Sequence, residues 1–132
     1  MTEKILIVDD SADLRTSLAF VLGSLFTVFQ ASNGAEALVV LEKERPRLML
    51  LDIAMPGMSG LEVLEAAKKR HPEVIVVMLT SHQDVEIAAL ALNLGADEYI
   101  TKPFDAVYIR AEVSRLSGPA DSSDDKPWKV AE

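Results

Sequence analysis

Three continuous apolar runs, Ile5–Val8, Leu48–Leu51 and Val74–Leu79, constrain what this chain can fold into more than any other feature. A strand with one face in water alternates apolar and polar residues, whereas a short unbroken aliphatic run suits a strand covered on both faces. Each run is followed by a helical pattern. Leu14, Leu18, Val21 and Leu22 recur at helical spacing after Ser11, and Ala37, Leu38 and Leu41 do so after Asn33, with Ser11 and Asn33 as the expected N-caps. Further helices fit Gly60–Arg70, Asp84–Leu94 and Asp105–Leu116, and weaker strands fit Thr27–Ala31 and Glu98–Thr101. Five strands alternating with five helices, without an internal repeat, predict a parallel α/β sheet with helices on both faces.

In sheets of that kind the functional crevice lies beyond the carboxyl ends of the strands. The residues following the runs are Asp9 and Asp10, then Asp52, then Thr80 and Ser81; Lys102 follows the last weaker strand. Three carboxylates meeting at one crevice would raise one another's pKa unless a cation intervened, so the set asks for a hard divalent ion. Mg²⁺ fits, since it takes oxygen ligands octahedrally and commonly binds one or two carboxylates plus a phosphate oxygen. The chain has no cysteine, which excludes thiol catalysis, disulfides and thiolate metal sites. Of the two histidines, His71 precedes Pro72 at a helix end and is expected at the surface, while His82 is expected at the rim of the crevice. Gly57 and Gly60 bracket the loop after Asp52 and read as turn and cap glycines.

At 132 residues the chain has the size of one domain, and with 5% aromatic residues its core must be aliphatic. Its net charge of −8, without a basic cluster interleaved with aromatics, argues against direct nucleic-acid binding. The start, Met1 to Ile5, lacks the basic and long apolar regions of a signal peptide, and no apolar run approaches the ~20 residues of a membrane span. A cytoplasmic protein without membrane association is the expectation. After Ser117 the composition turns to Gly, Pro, Ser and Asp, so residues 1–117 are expected to form the domain and 118–132 a polar, acidic tail or linker. Trp128, the single tryptophan, falls in that tail.

The segments Val8-Asp9-Asp10-Ser11, Asp52 to Gly60, Leu79-Thr80-Ser81 and Gly95 to Phe104 together resemble the response-regulator receiver family of two-component signal transduction, in order and spacing, over about residues 3–117. The resemblance implies a flavodoxin-like, doubly wound sheet of strand order 2-1-3-4-5. It implies that Asp52 is the phosphoacceptor, taking a phosphoryl group from a sensor histidine kinase or a histidine phosphotransfer protein. It further implies that Asp10 and Asp52 bind Mg²⁺ directly, with Asp9 nearby through water and the Ala54 backbone carbonyl as a further ligand. Lys102, held next to a cis Lys102–Pro103 bond, the Thr80 hydroxyl and the Ser81 backbone N–H would meet the phosphoryl oxygens. Thr80 and Tyr99 match the family's switch pair. On this reading the protein is a signalling switch and not an enzyme, catalysing only its own phosphorylation and dephosphorylation.

Ile87 and Leu90 on the fourth helix, and Val107 and Tyr108 on the fifth, are apolar where receivers often carry polar residues. With Tyr99 they predict a partner or homodimer surface across helix 4, strand 5 and helix 5. Ala89 and Glu112 stand where receivers attached to winged-helix domains usually carry basic residues, which speaks against that class. Three rivals remain on the residues alone. A Mg²⁺-dependent phosphatase with Asp52 as nucleophile would need a cap insertion and a second aspartate where Ala54 stands. A pseudo-receiver would have lost part of the set Asp10, Asp52, Thr80 and Lys102, all of which are present. A flavodoxin-like cofactor binder would need a phosphate-binding loop where Asp9 and Asp10 stand.

Overall fold

The computed structural model describes residues 3–81 and 85–117. Along them run β1 (Glu3–Val8), α1 (Ala12–Leu22), β2 (Phe26–Ala31), α2 (Gly34–Glu44), β3 (Leu48–Asp52), α3 (Gly60–Arg70), β4 (Ile75–Ser81), α4 (Val85–Asn93), β5 (Glu98–Lys102) and α5 (Ala106–Leu116). The strands form one parallel sheet in the order β2-β1-β3-β4-β5. The three apolar runs are its three interior strands, and the two weaker strands are its edges. Interior strands meet helices on both faces and neighbours on both sides, so their middles are apolar and their polar residues fall at the ends. Edge strands have one open side and can alternate, as the mixed burial along β2 does.

Two apolar layers flank the sheet. One holds Leu6, Val8, Met49, Leu51, Val76 and Met78 against α2 and α3 and the buried side of α4. The other holds Ile5, Ile7, Leu48, Leu50, Val77 and Leu79 against α1 and α5. Successive residues of each interior strand thus feed opposite layers. Leu18 and Leu22 of α1 and Ala37 and Leu41 of α2 are buried, as their spacing predicts.

The caps account for where the helices begin. The Ser11 side chain accepts from the Leu14 N–H at 3.2 Å, and Asn33 Oδ1 from the Glu36 N–H at 2.8 Å. Asp105 proves to be the N-cap of α5 rather than its first residue, since its carboxylate accepts from the Val107 N–H at 2.7 Å. α4 spans Val85–Asn93, inside the expected range; Asp84, His82, Trp128 and the whole tail of residues 118–132 lie outside the described residues. Among the described residues no helix is long and apolar enough to cross a membrane.

Two expectations need correction. His71 is not a surface residue: it is 5% exposed, capping α3 through its N–H to the Ala67 carbonyl, with Nε2 3.4 Å from Glu42 Oε1 on α2. The close packing of α2 on α3 covers it, which a His-Pro pair at a helix end does not reveal. Ile87 does not join the exposed strip either, for it is partly buried against the α2–α3 layer. Leu90, Val107 and Tyr108 are exposed as expected, and Leu92, not foreseen, is exposed with them.

Candidate functional site

The parallel register brings the strand ends to one edge. Val8 pairs with Leu51, Asp52 with Leu79, and Ser81 with Lys102, so Asp9, Asp52, Thr80 and Lys102 emerge together at the carboxyl side of the sheet. Asp9, Asp52 and Thr80 are buried, at 1%, 4% and 3% exposure, while Asp10 faces solvent. Carboxylate oxygens of Asp9, Asp10 and Asp52 lie within 4.8 Å of one another, an arrangement able to hold a metal ion.

Each acid is fixed by its surroundings. The Asp9 backbone is anchored by its N–H to the Ala31 carbonyl at 3.2 Å and by Arg15 Nη1, which donates to its carbonyl at 2.7 Å. Asp9 Oδ1 accepts from the Ser11 N–H at 2.9 Å, which orients the carboxylate toward β3 and β5. Asp52 Oδ1 accepts a longer bond, 3.4 Å, from the Ala54 N–H. Between the two acids stands the Lys102 ammonium, 3.0 Å from Asp9 Oδ2 and 3.2 Å from Asp52 Oδ1. The Lys102–Pro103 bond beside it is cis.

The electrostatics follow from this packing. Burial, and then the charge of Asp9, push the Asp52 carboxyl above its ordinary pKa, and Lys102 only partly offsets them. For Lys102, burial works to lower the pKa but is outweighed by the hydrogen bond to Asp9 and the charges of both acids, so the amine is held charged. Removing one buried acid's compensation therefore exposes the repulsion between the others.

Gly57 and Gly60 shape the loop after Asp52, for different reasons. Gly57 turns the chain at φ +80°, in the region where a side chain is strained. Gly60 is not a cap; Ser59 is, in a capping box with Glu62. Gly60 is the first residue of α3, and a Cβ there would sit 2.2 Å from the Asp52 carbonyl oxygen. Its N–H donates to the Ile53 carbonyl at 2.8 Å, so α3 begins directly against the backbone of Asp52.

A family model for the response regulator receiver domain matches residues 5–114. The chain belongs to the receiver-domain family of two-component response regulators. It is 40% identical over 116 residues to sporulation initiation phosphotransferase F of Bacillus subtilis, covering 87% of this chain and 94% of that protein. It is 42% identical over 100 residues to the DNA-binding transcriptional regulator NtrC of Escherichia coli, covering 75% of this chain but 21% of that one. Among solved structures, a CheY-like receiver domain protein from Methanospirillum hungatei superposes with a TM-score of 0.85 at 32% identity, over 95% of this chain and 98% of that one. Receivers of this kind thus occur both nearly alone and as a fifth of a longer regulator.

A second polar cluster of this receiver escaped the sequence reading. Arg115 Nη2 on α5 donates to Glu98 Oε2 of β5 at 3.0 Å and to Glu112 Oε1 at 2.7 Å. Burial, followed by the neighbouring Glu112, raises the Glu98 pKa from 4.5 to about 7. The folded state then retains a proton that the unfolded chain has released between about pH 4.5 and about pH 7, so stability falls as pH rises through that window. Glu98→Gln should flatten this dependence: between about pH 5 and about pH 8 the wild-type melting temperature is expected to drop a few degrees more than that of the variant. Parallel curves for the two proteins in thermal melts would rule the shared proton out.

Proposed function

We propose that this receiver takes a phosphoryl group onto Asp52 from the phosphohistidine of a sensor histidine kinase or a histidine phosphotransfer protein. The observation that carries the reading is the Lys102 ammonium held within 3.2 Å of both Asp9 and Asp52, inside a triad of acids otherwise unable to stay together uncompensated. An Asp52 carboxylate oxygen attacks phosphorus; the bond from phosphorus to the imidazole nitrogen breaks, and the imidazole leaves with that electron pair. The transition state spreads charge over three equatorial oxygens, so positioning and cations do most of the work. Lys102 is assigned one of those oxygens, and the Thr80 hydroxyl with the Ser81 backbone N–H another.

Mg²⁺ is assigned to Asp10 and Asp52 directly, with Asp9 through water and the Ala54 carbonyl as a further ligand; when bound it neutralises charge on the transferring group. The fit rests on the 4.8 Å acid cluster and on its hard oxygen donors. Asp9, already engaged by Ser11 and Lys102, suits the outer position. The phosphoryl–carboxylate anhydride stays open to hydrolysis, which limits the life of the signal. Thr80 and Tyr99 are assigned the switch, as a shift between two pre-existing states. Leu90, Tyr99 and Tyr108 are assigned the surface read by an effector or a second copy. Residues 1–117 would be the receiver and 118–132 a tail or linker, in a cytoplasmic protein that does not itself hold DNA.

Acetyl phosphate with Mg²⁺, followed by intact-mass measurement, tests the proposal. The parent should gain one phosphoryl group, and neither Asp52→Asn nor the parent with a chelator should gain any. An equal gain on Asp52→Asn would place the acceptor elsewhere.

A further inference from the structure

A groove of about 710 Å³ lies along β5 and α5, in the range of pockets that seat whole side chains or small ligands, roughly 300–1,000 Å³. Leu92, Tyr99, Phe104 and Tyr108 contribute apolar surface and Glu98 and Asp105 carboxyl groups; among the described residues no basic one lines it. Leu92, Tyr99 and Tyr108 are 41%, 36% and 49% exposed, a cluster of large apolar groups left to water.

We propose that the chain's own C-terminal segment occupies this groove, with Trp128 as the anchor. Three observations support that occupant. First, α5 ends at the groove: Arg115, in its last turn, is 3.0 Å from Glu98, which lines the groove. Second, the length suffices. β5 is five residues, about 16 Å, whereas Trp128 lies eleven residues past Ser117 and can reach about 36 Å when extended. Third, the chemistry matches. Trp128 is flanked by Lys126 and Lys129, and the groove offers the Asp105 carboxylate with no basic residue among its described lining. Of the segment's four acids, Asp121, Asp124 and Asp125 precede Lys126, and Glu132 lies four residues beyond Trp128.

Tethering lets the contact form at modest affinity. A short flexible linker gives an effective concentration on the order of 1 mM, so a segment with a dissociation constant of ~0.1 mM would be docked about nine-tenths of the time. The segment would then cover the face assigned to partners, and a partner would have to displace it. This inference does not depend on phosphorylation and is tested without it.

Trp128 is the single tryptophan, so intrinsic fluorescence reads it directly. In the unphosphorylated 132-residue chain its emission is expected to lie at shorter wavelength, with weaker acrylamide quenching, than in a synthetic peptide of residues 118–132. Leu92→Glu, a surface change checked for folding by circular dichroism, should return both signals to the peptide's values, and Lys126→Glu with Lys129→Glu should do so in part. Peptide-like emission in the parent, or a shielded tryptophan that Leu92→Glu leaves shielded, would overturn the proposal. A shift that fades on dilution would overturn it too, because it would assign the groove to the segment of a second copy.

Discussion

Gly60→Ala is expected to cost about 3 kcal/mol of stability, at the upper end for the addition of one methyl group to a packed site. The added Cβ would lie 2.2 Å from the Asp52 carbonyl oxygen and 2.6 Å from the Ile53 Cα, both backbone atoms that cannot rotate away. Relief requires α3 to shift off the end of β3, and α3 carries Val63, Leu64 and Ala67 into the core. Alanine is otherwise the better helix former by about 1 kcal/mol, so a loss at this position isolates the clash. Gly57→Ala is the control. A Cβ there meets nothing within 4 Å, and only its φ of +80° opposes the change, for about 1 kcal/mol. Urea midpoints measured on both variants should therefore separate clearly. If Gly60→Ala is no worse than Gly57→Ala, α3 does not start as tightly against Asp52 as described, and the placement of the acid by that contact fails with it.

The interior of the fold was legible because burial on both faces leaves a plain mark. Ile5–Val8 and Leu48–Leu51 read as interior strands, and the acid after each then falls at the carboxyl end of the sheet. The caps Ser11 and Asn33 were legible for a local reason, since the bond each makes closes within three residues. What escaped depended on contacts distant in sequence. His71 is buried by α2, and Glu98 meets an arginine 17 residues on, so neither neighbourhood is written locally. α4 failed for another reason. Val85, Ile87, Ala88, Leu90, Ala91 and Leu92 make it apolar nearly all round, and without contrast between faces the pattern cannot say which side packs. Ile87 was thus assigned outward and Leu92 overlooked. Gly60 was noticed as a glycine, but only the backbone of Asp52 beside it explains why.

Lys102→Ala is expected to lower stability by about 2 kcal/mol at neutral pH without divalent cations. Removing one member of a buried pair strands the other, and the loss is reduced here because the Lys102 side chain is 29% exposed. Asp9 and Asp52 would then face each other with no cation between them. The pH dependence follows from Asp52, whose pKa already lies above the ordinary value through burial and Asp9 and would rise further without the amine. A carboxyl with a raised folded pKa stabilises when protonated and loses that contribution as pH rises from its unfolded to its folded value. The variant's deficit should therefore be small in acid, grow through that window, and shrink again only in strong alkali, where the parent's Lys102, its own pKa raised, finally loses its proton. Two rescues distinguish this cause from lost packing. Mg²⁺ at about ten times its dissociation constant should return about 1.4 kcal/mol to the variant. Asp52→Asn should cost the variant less than it costs the parent, the sign of a coupling between neighbours in a double-mutant cycle. Denaturant midpoints for the four proteins, at two pH values and with and without Mg²⁺, measure all of this. A deficit that is constant with pH and indifferent to Mg²⁺ would mean that Lys102 contributes its hydrocarbon stem rather than its charge, and would leave the acid triad without the cation on which the proposed phosphoryl chemistry depends.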